Sequence, residues 1–143
     1  MSDGKLQKLL DISEIAALKA RYCEFTDLTS TDPATAAARL AQVFTEDVTG
    51  DYGELGLFKG RSAVLDFLVK KIGGTTNWMW HAIHSPQIAV TGDAATGQWT
   101  LVARLIWTSA PDKTETLIGR YKDEFRRTPA GWLISSLRWI AEG

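Results

Sequence analysis

The chain has 143 residues, of which 45% are hydrophobic and 23% are charged, and its formal net charge is −1. These values predict a single globular domain over residues 1–143, and they argue against disordered and fibrous classes. The acidic and basic residues nearly balance and no dense run of Lys or Arg occurs, so a nucleic-acid partner is not expected.

Cys23 is the only cysteine, so the sequence predicts neither an internal disulfide nor a multi-cysteine metal site. The first ten residues carry charged side chains and lack the apolar core of a signal peptide. No apolar stretch reaches the length of a membrane span. We therefore expect a cytoplasmic protein that has no membrane partner.

Three helices are predicted in the first half of the chain, over residues 11–28, 32–44 and 62–72. Asp11 followed by Glu14 is a variant of the capping box that opens a helix. Asp32 directly before a proline is typical of a helix cap and first turn, and Gly73 ends the third helix.

From Trp78 onward the hydrophobic period changes from helical to two, which is typical of strands. Four strands are predicted, over residues 78–90, 95–108, 115–127 and 131–141. Their connections are short and contain Gly, Pro and Asp, as expected for an antiparallel meander. The order predicts a cone-shaped α+β barrel, in which three N-terminal helices pack on a curved, mainly antiparallel sheet and enclose a pocket.

Two polar side chains of the first helix, Tyr22 and Asp27, fall on its inward side. Tyr22 shares an apolar row with Ile15 and Leu18, and Asp27 ends a row of small residues. A buried carboxylate normally requires a partner, so Asp27 is a candidate site residue. The alternatives are that Asp27 caps the helix exit and that Tyr22 is a core tyrosine.

Both histidines lie in the first long strand, at His81 and His84. Strand alternation directs them to opposite faces, so only one faces the pocket and they cannot share a metal ion. A neutral imidazole held by a carboxylate, beside a tyrosine hydroxyl, is able to abstract a proton without any cofactor. A structural histidine in the core is the alternative.

Four further residues are candidates for substrate binding: Tyr52, Trp80, Arg104 and Arg138. All six tryptophans lie in the second half of the chain, where large flat side chains suit a pocket wall or an apolar interface. Either arginine is able to supply a pocket cation, although a solvated sheet face explains both. Tyr52 either closes the pocket mouth or occupies an exposed turn.

Two rows of alternating strand residues are strongly apolar. They are Trp99, Leu101, Ala103, Leu105 and Trp107 in one strand, and Leu133, Leu137 and Trp139 in the last strand. On the convex face of the sheet such rows would form an apolar patch, and exposed patches of this kind usually mark an interface. We therefore expect a homodimer or homotrimer that assembles through the sheet.

Several segments together carry a family resemblance: residues 20–27, 44–48, 58–61, 79–86, 90–95, 121–125 and 131–132. As a set they resemble the SnoaL-like family of the nuclear-transport-factor-2-like fold, especially the branch of scytalone dehydratase and bile-acid 7α-dehydratase. The resemblance implies a cofactor-independent lyase or isomerase that acts on a small, largely apolar cyclic or polycyclic molecule. It also implies that Tyr22, Asp27 and His81, rather than His84, are the catalytic residues. A non-catalytic ligand-binding or assembly domain of the same fold is the alternative.

Overall fold

The computed structural model describes residues 2–142 of the chain. The helices are α1 (Asp3–Leu28), α2 (Pro33–Leu40) and α3 (Arg61–Asp66), and α3 continues as a π-helical segment over Phe67–Ile72. The strands are β1 (Phe44–Asp51), β2 (Leu57–Lys59), β3 (Thr76–Thr91), β4 (Ala94–Trp107), β5 (Glu115–Thr128) and β6 (Gly131–Ala141). None of the helices within these residues combines the length and the apolar character needed to cross a bilayer.

The six strands form one sheet in the order β2-β1-β6-β5-β4-β3. Neighbouring strands are antiparallel except for β1 and β6, which run parallel. The strands β2 and β3 are therefore edges, and the sheet stays open instead of closing into a barrel. The predicted α+β cone fold, with three helices and a mostly antiparallel sheet, is otherwise confirmed.

Helix α1 begins at Asp3 and not at Asp11. The side chain of Ser2 caps it by accepting the backbone N–H of Lys5 at 3.3 Å. Asp11 lies inside the helix, where its carboxylate accepts two hydrogen bonds of 2.8 Å from the guanidinium of Arg127. The predicted helix start was wrong because this acidic residue is a tertiary ion-pair partner and not a cap.

Helix α2 begins as predicted but ends early. Asp32 accepts a backbone N–H of the first turn at 3.3 Å, and Pro33 is the first helical residue. The helix stops at Leu40, and Phe44 opens β1, where it pairs with Ile134 of β6. Pairing across the sheet therefore decides the conformation at Phe44, where the apolar spacing alone had indicated helix.

The inward row of β4 faces the helices and forms part of the core. Its members are Trp99, Leu101, Ala103 and Leu105, each at most 4% exposed. The prediction that this row lies on the convex face was wrong, because α1 and the π-helical segment cover that side of the sheet. It was also wrong for Trp107 and Trp139, which line the cavity on the helix side, and for Leu137, which is fully buried. The sheet face away from the helices, here called the outer face, carries three exposed apolar side chains instead. They are Trp78, Trp80 and Ile118, which are 41%, 47% and 53% exposed.

Candidate active site

A small cavity lies between α1, the π-helical segment and the inward faces of β3, β4 and β5. Its volume is about 80 Å³ and most of its wall is apolar. Apart from two indole rings, the polar groups on the wall belong to Tyr22, Thr26, Tyr52, His81 and Tyr121. Sites for drug-sized ligands usually have ~300–1,000 Å³, so this cavity is well below that size.

His81 and Asp27 are in direct contact at the cavity wall. Nδ1 of His81 lies 2.5 Å from Oδ1 of Asp27, and the backbone N–H of His81 donates to Oδ2 at 3.1 Å. The side chains are 11% and 22% exposed. Because a carboxylate only accepts hydrogen bonds, Nδ1 of His81 is the donor in this contact, and in the neutral imidazole Nε2 then carries the lone pair. An imidazole held this way is oriented as a proton acceptor.

The position of His81 on an edge strand explains the double contact. Strand β4 pairs with only one side of β3, so amides on the other side have no strand partner. Helix α1 lies against β3, and Asp27 in its last turns accepts one of these free amides. One carboxylate therefore fixes both the backbone and the ring of His81.

Tyr22 and Tyr52 form a hydroxyl pair in the same cavity, with their oxygens 2.7 Å apart. Tyr22 is fully buried and Tyr52 is 6% exposed. Burial raises the pKa of both phenols well above the usual value, so both stay protonated. One of the two hydroxyl hydrogens is used between them, and the other can be donated to the neighbouring Tyr121 oxygen or to a ligand oxygen.

A buried ion pair beside the site was not predicted from the sequence. Nζ of Lys19 lies 2.7 Å from Oδ2 of Asp123, and both side chains are 0% exposed. The ammonium lies 3.5 Å from the ring centre of Tyr121 and 4.1 Å from that of Tyr22. The available signal was strand alternation, since Asp123 occupies an inward position of β5 between two buried aromatic residues, Tyr121 and Phe125.

Thr26 is the second residue of the site that the sequence patterns did not reveal. It is 2% exposed and lines the cavity one turn after Tyr22. The neighbouring Cys23 is also buried, and burial raises the pKa of its thiol to about 12. A thiol in this state is protonated and is not a nucleophile.

Three of the four predicted substrate-binding residues lie outside the cavity. Trp80 and Arg104 are cross-strand neighbours on the outer face, because strand alternation that turns His81 inward turns Trp80 outward. Arg138 is exposed and lies in an open depression of about 630 Å³ that adjoins the cavity. Tyr52 is the predicted binding residue that lines the cavity itself.

The second histidine occupies a different environment. His84 is exposed, and its Nδ1 lies 3.1 Å from the hydroxyl of Ser85, in an irregular part of β3 where the register shifts. Ser85 there has a positive φ of 54°. Over residues 2–142, no three His, Cys, Asp or Glu side chains converge to hold a metal ion.

Comparisons with known proteins agree with this fold. A family model described as a SnoaL-like domain matches residues 7–138. Among solved structures, a nuclear-transport-factor-2-like superfamily protein from Salmonella enterica has a TM-score of 0.80 and 21% identity, over 92% of this chain and 90% of that chain. A Novosphingobium aromaticivorans protein provisionally assigned as a scytalone dehydratase has a TM-score of 0.78 and 21% identity, over 100% and 89%. A hexachlorocyclohexane dehydrochlorinase has a TM-score of 0.77 and 16% identity, over 94% and 89%.

No curated protein matches the chain with significance. At identities of 16% to 21%, the likeness to these solved structures shows a shared fold and nothing finer. The chemistry of this chain therefore has to be argued from its own side chains.

Proposed function

Since the chain belongs to the SnoaL-like family, we propose that it is a cofactor-independent lyase or isomerase of the dehydratase type. Its substrate is a small, largely apolar cyclic molecule. The observation that carries the proposal is the 2.5 Å contact between His81 and Asp27 at the wall of an apolar cavity. Two structural neighbours, named for a dehydratase and a dehydrochlorinase, give further support to an elimination.

In this mechanism His81 is the general base. Its Nε2 takes a proton from a carbon next to an electron-withdrawing group, and the Asp27 carboxylate stabilises the imidazolium that forms. The hydroxyl hydrogen that Tyr22 and Tyr52 do not share with each other donates to the oxygen on which negative charge develops. The C–H electron pair becomes a new double bond, and the leaving group departs with its own bonding pair, either as chloride or as hydroxide that the imidazolium protonates to water. In an isomerisation the imidazolium returns the proton to another carbon.

The size of the cavity determines how a substrate sits. The cavity of about 80 Å³ accepts the reacting end of the molecule. The adjoining depression shares wall residues with it, among them Tyr52, Leu55 and Trp107. We place the remainder of any polycyclic substrate in this depression, where Arg138 is the exposed cation.

The test is a kinetic comparison of variants on a panel of cyclic β-hydroxy ketones and chlorinated cyclohexanes. Turnover is followed by ultraviolet absorbance of the enone and by chloride release. His81→Ala should lower kcat/KM by about 100-fold or more, because a general base typically contributes that much. Asp27→Asn should cause a large loss while the melting temperature is retained. Tyr22→Phe should be milder, since it removes one hydroxyl and preserves the packing.

The matched control is His84→Ala, which removes the exposed histidine and should leave the rate unchanged. If His81→Ala turns over a substrate at the wild-type rate, His81 is not the base. If the protein binds members of the panel but turns none of them over, the cavity is a binding site.

A further inference from the structure

Thr26 lines the cavity and carries a buried hydroxyl that has no hydrogen-bond partner within residues 2–142. Its side chain is 2% exposed. A helical threonine usually donates to the carbonyl three or four residues earlier. In α1 those carbonyls belong to Cys23 and Tyr22, and Oγ1 bonds neither of them. A buried hydroxyl without a partner costs folding free energy, so its retention needs a reason.

Three neighbouring hydroxyl groups, those of Tyr22, Tyr52 and Thr29, do have partners. The phenols of Tyr22 and Tyr52 are bonded to each other at 2.7 Å. The hydroxyl of Thr29 donates to the backbone carbonyl of Thr26 at 2.7 Å, which satisfies the main chain of Thr26 but not its side chain. The Thr26 hydroxyl is therefore a donor and acceptor that is left over for whatever occupies the cavity.

The Thr26 hydroxyl lies at a different position in the site from the Tyr22 and Asp27 side chains. Thr26 follows Tyr22 by four residues, so both are on the same side of α1, and it directly precedes Asp27. We propose that Thr26 binds a second polar atom of the substrate, distinct from the oxygen that the tyrosine pair receives. This rests on the proposed function. The substrate class is thereby a small apolar ring that carries two hydrogen-bonding heteroatoms.

The test uses four probes that differ by one hydroxyl: cyclohexanone and its 2-, 3- and 4-hydroxy derivatives. Dissociation constants are measured by tryptophan fluorescence, since Trp107 and Trp139 line the cavity. In the wild-type protein the best hydroxy ketone should bind about five- to tenfold more tightly than cyclohexanone, as one neutral hydrogen bond allows. Thr26→Val has the same shape without the hydroxyl, and it should bring this ratio to about one while the affinity for cyclohexanone is unchanged. Thr26→Ser should restore the preference.

Two controls separate ligand binding from a structural role. Thr45→Val alters a buried threonine of β1 that does not line the cavity, and it should leave all four dissociation constants unchanged. Thr26→Val should melt no lower than the wild-type protein, because its hydroxyl has no internal hydrogen bond to lose. A clear drop in its melting temperature would show that the hydroxyl has a structural partner, and the inference would then be wrong.

The proposal is overturned if the wild-type protein and Thr26→Val show the same ratio, or if the wild-type protein binds none of the four ketones saturably. His81→Ala is measured alongside these variants. It should keep the preference for the hydroxy ketone, because His81 acts on the C–H bond. A Thr26-dependent preference without any His81-dependent turnover would reject the proposed reaction and retain the binding site.

Discussion

Replacing Lys19 by Met leaves the carboxyl group of Asp123 alone in the core, since both side chains of this pair are 0% exposed. Removing one partner of a buried ion pair usually costs ~3–5 kcal/mol, because the remaining charge stays away from water. Asp123 avoids this cost by taking up a proton, and burial already raises the pKa of this carboxyl. Protonating a carboxyl of unfolded pKa 3.8 at pH 7 costs about 4.4 kcal/mol. The free energy of unfolding of the variant therefore falls by no more than about that amount.

The pH dependence identifies this mechanism. In the variant, the folded state binds one proton more than the unfolded state at neutral pH, so its stability falls as pH rises above the unfolded pKa. The difference from the wild-type protein should therefore shrink by about 1.4 kcal/mol for each pH unit from 7 down towards 4. With an unfolding entropy of about 0.3 kcal/mol per degree for a chain of this length, the loss at pH 7 lowers the melting temperature by roughly 15 °C.

The assay is urea unfolding followed by tryptophan fluorescence at pH 7 and at pH 5. The control is Lys19→Met combined with Asp123→Leu, which removes both charges and should be as stable as the wild-type protein or more stable. A Lys19→Met variant within about 1 kcal/mol of the wild-type protein at pH 7 would refute the reasoning. So would an equal loss at the two pH values, or a double variant that is less stable than the single one.

Three further outcomes are expected. The Arg127 guanidinium holds the pKa of Asp11 well below its usual range, so this carboxylate stabilises the fold above about pH 4 and loses its effect as pH falls. In Asp11→Asn, the stability followed by circular dichroism should therefore fall less steeply as the pH is lowered. Cys23, whose thiol pKa burial raises to about 12, should resist iodoacetamide at pH 8 until urea unfolds the protein, as mass spectrometry would show. We propose that the expected homodimer or homotrimer forms through the outer face. Trp80→Lys or Ile118→Lys should then shift sedimentation to the monomer, and a monomeric wild-type protein would contradict this.

The strands could be predicted because their signal is local. Alternation from Trp78 onward and the short turns placed all four long strands within two residues of their observed ends. The start of α1 could not be predicted in this way. Leu6, Leu9 and Leu10 in its first turns are about half exposed, so no buried apolar stripe marks that part of the helix.

The sequence indicated which way each site side chain points, but not which residue it contacts. The helical wheel and the strand period indicate which way Asp27 and His81 point, but their contact joins residues 54 positions apart in the chain. No local pattern pairs two such residues, and here the family resemblance supplied the association. The Lys19–Asp123 pair was missed for the same reason, because strand alternation turns Asp123 inward but no local pattern links it to Lys19 of α1.

The long edge strand β3 also bears on how copies of this protein can meet. An open edge of 16 residues has unpaired backbone groups to which a strand of another molecule can add, and such strand addition begins cross-β aggregates. Here the backbone N–H of His81 already donates to Asp27. Pro86 has no N–H and therefore interrupts the row of edge amides beside Ser85, whose backbone is left-handed. The edge therefore lacks a continuous template for strand addition. A variant that straightens this irregularity should therefore be more prone to form fibrils.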